Sequence, residues 1–401
     1  MVKNIFFIHR FHFNRSYYKT DDFQYFKDKG YNVKYLDLVG LLKSSNLEDT
    51  CPEDLKSDVI YINTKSEFKS FLEKHKENSL LLTCVGFQVN TAWFYRIISR
   101  SKIPYIFLDI NFFPKLSYKN KVRSISTRIK RFFEKVAPVY LFFKLFRAFD
   151  YSYTKKLINP AQGLIHVKEP IRKRILQLCN AETTIVKTKS NDWRTAMDTG
   201  EENTVKDDYL VFIDQYIPYH PDFVSRGIDL RFTAKEYYQE LNDALGIIAE
   251  KTGLKVQIAA HPRRVSEGDY KFPIWKNSTA NLVKHSKLVL SHYSTAVNFA
   301  VIHNKPMAFL NSELLKRSYV GTNIDDMAHT FSKESVDISK KYINELDCNA
   351  LMSIDENAYQ QYIRQNLSPK NSNPARLGKL VEKILKPECI YHDSVKEVSI
   401  I

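Results

Sequence analysis

Two short polar clusters, each directly after an apolar run, are where this sequence can do chemistry. Val256–Ala260 leads into His261-Pro262-Arg263-Arg264, and Lys287–Leu290 leads into Ser291-His292-Tyr293-Ser294-Thr295. Imidazole and guanidinium groups are donors matched to phosphate oxygens. Pro262 fixes the backbone beside His261 and removes a competing N–H. Ser291, Ser294 and Thr295 offer hydroxyls just ahead of a helical pattern whose first N–H groups lack intrahelical partners. The clusters together read as an anion site, with Arg263 and Arg264 as fork donors and the small hydroxyls also expected to cap the helix. His261 is in addition a candidate general acid towards a leaving phosphate.

A base is the other requirement of transfer chemistry. The run Tyr209–Ile213 opens into a loop that carries Asp214 at its start and Asp222 deeper in. Either carboxylate is a candidate to deprotonate an acceptor hydroxyl. The competing reading is an Asx turn or loop cap, common beside prolines such as Pro218 and Pro221. In the first half of the chain, His9-Arg10-Phe11-His12 follows the first apolar run. These residues are candidates to hold an acidic acceptor or a donor carboxylate, with a basic loop over buried rings as the alternative. Gln88 and Asp109 are further candidates on position alone. Glycine-rich dinucleotide and phosphate loops, His-Glu-x-x-His and Asp-x-Asp are all missing from the sequence. No metal site and no cofactor are therefore expected, only a nucleotide-linked substrate.

The elements that must position these residues alternate. Strands are expected at Asn4–Ile8, Asn32–Leu36, Val59–Ile62, Leu80–Cys84, Tyr105–Leu108 and Gly163–Val167. Helices are expected at Asp22–Lys29, Glu67–His75, Thr91–Ser101 and Ile171–Cys179. This is the βαβ rhythm of a parallel sheet with helices on both faces. A polar stretch, Lys189–Asp207, reads as a linker. The rhythm restarts with strand Tyr209–Ile213, helix Ala234–Thr252, strands Lys255–Ala260 and Lys287–Leu290, helix Thr295–His303 and strand Pro306–Leu310. A last helix, Pro374–Leu385, is placed to return to the first half. The expected fold class is α/β, with two Rossmann-like doubly wound domains facing a central cleft. Residues 1–190 form an acceptor-binding domain, 191–207 the linker, 208–370 a nucleotide-sugar-binding domain and 371–401 a C-terminal helix and tail. Ligands of such sheets lie at the carboxyl ends of strands, where both clusters fall.

Composition bounds the partners. The 401 residues suffice for two ordinary domains, and 44% hydrophobic with 26% charged residues excludes a disordered chain. A formal net charge of +15 favours anionic partners. Five cysteines, scattered and without metal-ligand spacing, read as reduced thiols, so a cytoplasmic location is expected. The first residues do not form a signal peptide, and no apolar run is long enough to span a bilayer. Residues 121–156 are basic and aromatic, with VYLFFKLF flanked by Arg128, Lys130, Arg131 and by Arg147, Lys155, Lys156. Such a segment can lie peripherally on an anionic membrane; a helix pair with a solvated basic rim is the other reading.

The His-Pro motif at His261-Pro262, with the Ser/Thr-rich motif that opens a helix at Ser294-Thr295, resembles the C-terminal half of two-domain, GT-B type bacterial glycosyltransferases. The chain is most similar to those using CMP-activated acidic sugars: sialyltransferases, polysialyltransferases and Kdo-type capsule transferases. The resemblance covers residues 209–310 by motif and the first half by architecture only. It implies that His261 and Ser294-Thr295 bind the CMP phosphate and that a carboxylate, Asp222 or Asp214, is the base. The acidic-acidic-Gly base motif of some sialyltransferases is missing here. The implied activity is transfer of a sialic-, pseudaminic- or Kdo-like sugar to a surface glycan or glycolipid, without metal. UDP-sugar transferases and CDP-glycerol-type phosphotransferases also place His-Pro and Ser-rich loops at this site. A basic nucleic-acid-binding protein is the alternative of another class; no recognisable binding motif supports it, and no nucleic-acid partner is expected.

Overall fold

The computed structural model describes residues 2–42, 49, 51–110, 149, 151–220, 223, 229–266 and 268–386. Asp222 lies outside these residues, as does nearly all of the basic aromatic segment 121–156. The described end of that segment, residues 151–156, is helical, and Phe149 and Tyr153 are exposed and stacked on each other.

Thirteen strands form two sheets. The first sheet holds β1 (Asn4–Ile8), β2 (Asn32–Asp37), β3 (Val59–Tyr61), β4 (Ser79–Thr83), β5 (Tyr105–Asp109), β6 (Gly163–His166) and β7 (Thr184–Lys187). Its order is β3-β2-β1-β4-β5-β6-β7 and every pairing is parallel. The second holds β8 (Tyr209–Ile213), β9 (Lys255–Ala259), β10 (Ile274–Trp275), β11 (Leu288–Ser291), β12 (Met307–Asn311) and β13 (Val336–Asp337), in the order β10-β9-β8-β11-β12-β13 and again all parallel. The fold is thus α/β with two doubly wound sheets, as the alternation of apolar runs requires. Central strands such as β8 are buried along their whole length, which only a sheet covered on both faces allows.

Both sheets reverse direction of winding at one point. In the first it lies between β1 and β4, in the second between β8 and β11. Loops leaving such neighbours diverge to opposite faces and open a crevice at the carboxyl ends. His9–His12, Gln88, Asp214 and His292–Thr295 all follow one of these four strands, and Ser291 ends β11.

Local signals explain the well-placed helices. Ala234–Thr252 starts at a capping box between Thr233 and Glu236 and stops at Gly253, whose φ is 68°. The stretch expected as a linker instead holds a helix, Asn191–Asp198, capped by Ser190. Its tertiary contacts override a polar composition: Ala196 is buried against the second-half core. The helix expected from Thr295 begins only at Val297. The short edge strands β7, β10 and β13 have no counterpart in the sequence reading.

The chain crosses back to the first half at its end. Asn373 N donates to Lys187 O at 2.9 Å, and the helix Leu377–Leu385 joins the core of Ile5, Phe7 and Leu80 through Leu377, Leu380, Val381 and Ile384. Gly378 lets that helix approach the Tyr25 ring, and Tyr25 Oη donates to Glu382 Oε2 at 2.6 Å.

Candidate functional site

β8 delivers Asp214 beneath the loop that follows β9. Asp214 is 2% exposed. Its Oδ1 accepts from Tyr216 N at 2.8 Å and Tyr270 Oη at 3.0 Å, and its Oδ2 from Arg264 Nη1 at 2.9 Å. Arg264 is itself buried, with its Nη2 on Asp269 and its guanidinium among the rings of Tyr216, Tyr238 and Tyr270, 4.6 to 5.3 Å away. Arg264 is expected from the sequence to bind the anion; instead its terminal nitrogens are spent internally. Both are bonded, Nη1 to Asp214 and Tyr238 and Nη2 to Asp269, which offsets the cost of burying the charged Asp214–Arg264 pair. The pair holds the start of the β8 loop against the His-Pro loop, and His261 N lies 3.5 Å from Asp214 Oδ2.

The neighbouring residues are differently placed. His261 and Arg263 are half-buried and Pro262 is exposed. Arg263 N donates to His261 Nδ1 at 3.2 Å. With Nδ1 accepting, a neutral His261 carries its proton on Nε2, which makes that nitrogen a donor. The ring packs against Tyr216 and His220, with centroids 6.4 and 5.0 Å away. The Arg263 guanidinium lies 5.6 Å from the Phe11 ring centre, so the His-Pro loop of the second half meets the β1 loop of the first.

β11 ends at Ser291, fully buried, whose Oγ has no hydrogen-bond partner among the described residues. His292 is an internal strut: its Nδ1 bonds Leu310 O at 2.6 Å and its Nε2 lies 2.9 Å from Tyr237 Oη. Burial pushes its pKa down to about 4, which keeps the ring neutral. Tyr293 N donates to Gln215 Oε1 at 2.6 Å and ties the β8 and β11 loops together. Ser294 Oγ accepts from Ala296 N at 3.2 Å, inside the turn before the helix, and the helix from Val297 has no side-chain cap. The expected side-chain cap of that helix is therefore not made, and Ser294 closes the turn before it instead. Thr295 is half-buried beside it.

On the facing sheet, His9 is 2% exposed and faces inward. Its Nε2 lies 2.8 Å from Asp21 Oδ2 and its Nδ1 3.0 Å from Cys84 Sγ, so it is not an open acceptor-binding group. Arg10 is half-buried, and its Nη2 has no hydrogen-bond partner among the described residues. Gln88 sits half-buried in the turn after β4, its N–H bonded to Thr91 Oγ1 at 2.9 Å. Asp109 is 6% exposed and paired with Arg172; burial raises its pKa and the guanidinium offsets part of the rise.

A pairing that the sequence reading did not make stands in the same loop. His12 Nδ1 lies 2.7 Å from Asp37 Oδ2, and Asp37 Oδ1 accepts from Val39 N at 3.0 Å. Asp37 ends β2, the parallel neighbour of β1, so adjacency in the sheet is the signal that brings it to His12. A carboxylate that accepts from Nδ1 makes Nε2 the basic nitrogen. Among the described residues no group of three or more His, Cys, Asp or Glu could hold a metal ion, and no helix is long and apolar enough to cross a membrane.

No protein-family model matches this chain, and no curated protein matches its sequence. Solved structures do align along nearly its whole length. A UDP-GlcNAc 2-epimerase from Methanocaldococcus jannaschii is 12% identical over 95% of this chain and 99% of its own, with a TM-score of 0.46. MurG of Acinetobacter baumannii is 8% identical over 96% and 99%, at 0.43. A variant of the wall teichoic acid polymerase TagF is 11% identical over 96% and 89%, at 0.49. At such identities and scores the likeness adds nothing to the reading of individual side chains.

Proposed function

We propose that this chain is a glycosyltransferase that moves a sugar from a nucleotide-linked donor to a glycan or glycolipid acceptor. The observation that carries the reading is the meeting of two unlike loops at the switch points of two parallel sheets. One presents an imidazole donor and a guanidinium, His261 and Arg263; the other presents an Asp-held imidazole, His12. An imidazole N–H and a guanidinium opposite a base are what displacement of a phosphate leaving group by a hydroxyl requires.

In this mechanism His12 Nε2 takes the acceptor proton, and Asp37 holds the ring and stabilises the imidazolium that forms. The acceptor oxygen bonds to the anomeric carbon as the bond to the donor phosphate breaks. His261 Nε2–H and Arg263 stabilise the departing phosphate, with Ser294 and Thr295 alongside. Asp214, expected as a base, has both oxygens committed to Tyr216, Tyr270 and Arg264, so we assign it the positioning of the His-Pro loop. Asp222 is retained as a second candidate base by its loop position. The CMP-linked acidic sugar expected from the sequence has no counterpart among the structures above, and a UDP-linked sugar is the donor set against it.

The experiment is thermal stabilisation of the full chain by UDP, CMP, CDP and GDP, with and without Mg²⁺, repeated on His261→Ala. Selective stabilisation by one nucleotide, lost in the variant, supports the site and names the donor. No stabilisation by any nucleotide overturns the reading.

A further inference from the structure

We infer that Cys84 is a reactive thiol, a site of covalent modification by soft electrophiles and peroxide, activated by the buried His9–Asp21 pair. The sheet register sets this up. Ile8 and Thr83 are partners across the parallel β1–β4 pair, so the next residue on each strand, His9 and Cys84, leave the sheet side by side. Cys84 Sγ lies 3.0 Å from His9 Nδ1, and His9 Nε2 lies 2.8 Å from Asp21 Oδ2. The imidazole is clamped by stacked rings, Tyr17 at 4.5 Å and Tyr35 at 5.8 Å, which fix its plane.

Asp21 is 1% exposed and neither of its oxygens makes a hydrogen bond among the described residues. Leaving such a carboxylate uncompensated is strongly destabilising. A positive charge on His9 compensates it. Burial disfavours that charge, but Asp21 and then Cys84 outweigh it and hold His9 well above the ordinary histidine range. The sulfur, 3.0 Å from His9 Nδ1, is the acceptor of that contact when the ring carries its charge, and the same charge favours its attack as a nucleophile. Cys84 is half-buried, so reagents reach it, whereas burial pushes Cys51 and Cys179 up to about 11 and makes them inert.

The chemistry is that of a sulfur nucleophile beside an imidazole held by a carboxylate. With iodoacetamide the sulfur forms an S–C bond as the C–I bond breaks, and iodide leaves with the electron pair. With hydrogen peroxide the sulfur attacks one oxygen, the O–O bond breaks and hydroxide leaves, taking a proton to become water. The cysteine is then oxidised by two electrons to the sulfenic acid and the peroxide is reduced.

The test is timed labelling of the folded full-length protein with iodoacetamide at neutral pH, each cysteine read by peptide mass spectrometry. Cys84 is expected to react about 10-fold or more faster than Cys179 and Cys348. His9→Asn and Asp21→Asn should each slow Cys84 by about 10-fold while leaving Cys348 unchanged. Each variant is scored only after its circular dichroism and cooperative melt match the parent. Labelling of Cys84 no faster than Cys348 in the parent overturns the inference even if both variants fail to fold. So does an unchanged Cys84 rate in either folded variant.

Discussion

His12 and Arg263 sit on opposite sides of the proposed reaction, and their variants should fail differently. His12→Ala removes the base, so kcat should fall about 10²- to 10⁴-fold with nucleotide binding unchanged. Asp37→Asn keeps the shape but loses the charge that supports the imidazolium, and it should fall by a similar factor without adding to the His12 loss. Donor profiling with a fixed acceptor reads both, and additive losses would count against a dyad. Arg263→Ala should instead raise the donor KM about 10- to 100-fold, since one charge-assisted contact to phosphate is lost. A variant with unchanged donor KM would remove Arg263 from the site.

At the scale of elements, the loops after β8, β9 and β11 are held chiefly by buried groups. Asp214 and Arg264 are the central pair. Asp214→Asn leaves the buried guanidinium with Asp269 as its remaining counter-charge and should destabilise the chain by about 3 kcal/mol in urea unfolding. A loss below 1 kcal/mol would show that the loop relaxes around the change. His292 couples the β11 loop to pH. Its pKa is pushed down to about 4 by burial, whereas the unfolded ring titrates near 6.5. Between these values the unfolded chain binds a proton that the native chain does not. The contribution is therefore complete above the unfolded pKa and is lost as pH falls towards the folded one, about 3 kcal/mol in all. His292→Gln should flatten that part of the stability profile; parallel profiles for parent and variant between about pH 7 and about pH 4.5 would refute the assignment.

For the molecule as a whole, the returning helix Leu377–Leu385 joins the last residues of the second half to the core of the first. Gly378 is what permits it. A Cβ there would fall well inside van der Waals contact of the Tyr25 ring, and Gly378 N donates to Asp22 Oδ2 at 2.9 Å. Gly378→Ala should cost about 1–3 kcal/mol and speed proteolysis after residue 370, with nucleotide binding retained. An unchanged melting temperature would mean the helix shifts freely and does not clamp the halves.

The sequence by itself determined the α/β class, the positions of the central strands along the chain and the placement of both polar clusters at strand ends. Continuous apolar runs, prolines and glycines are local signals, and they survive folding because central strands are buried on both faces. The bounds of the helix Ala234–Thr252 also match the sequence reading, and a capping box and a glycine, both local, set them. Only the tertiary structure decided which polar residues point where. His261, Arg263 and Arg264 are adjacent in the chain, yet Arg264 is spent on Asp214 and Asp269 while Arg263 reaches Phe11 in the other half. His9 and His12 stand three positions apart, yet one is locked between Asp21 and Cys84 and the other is held by Asp37. Those partners arrive from neighbouring strands and loops, through a parallel register that one-dimensional spacing does not encode.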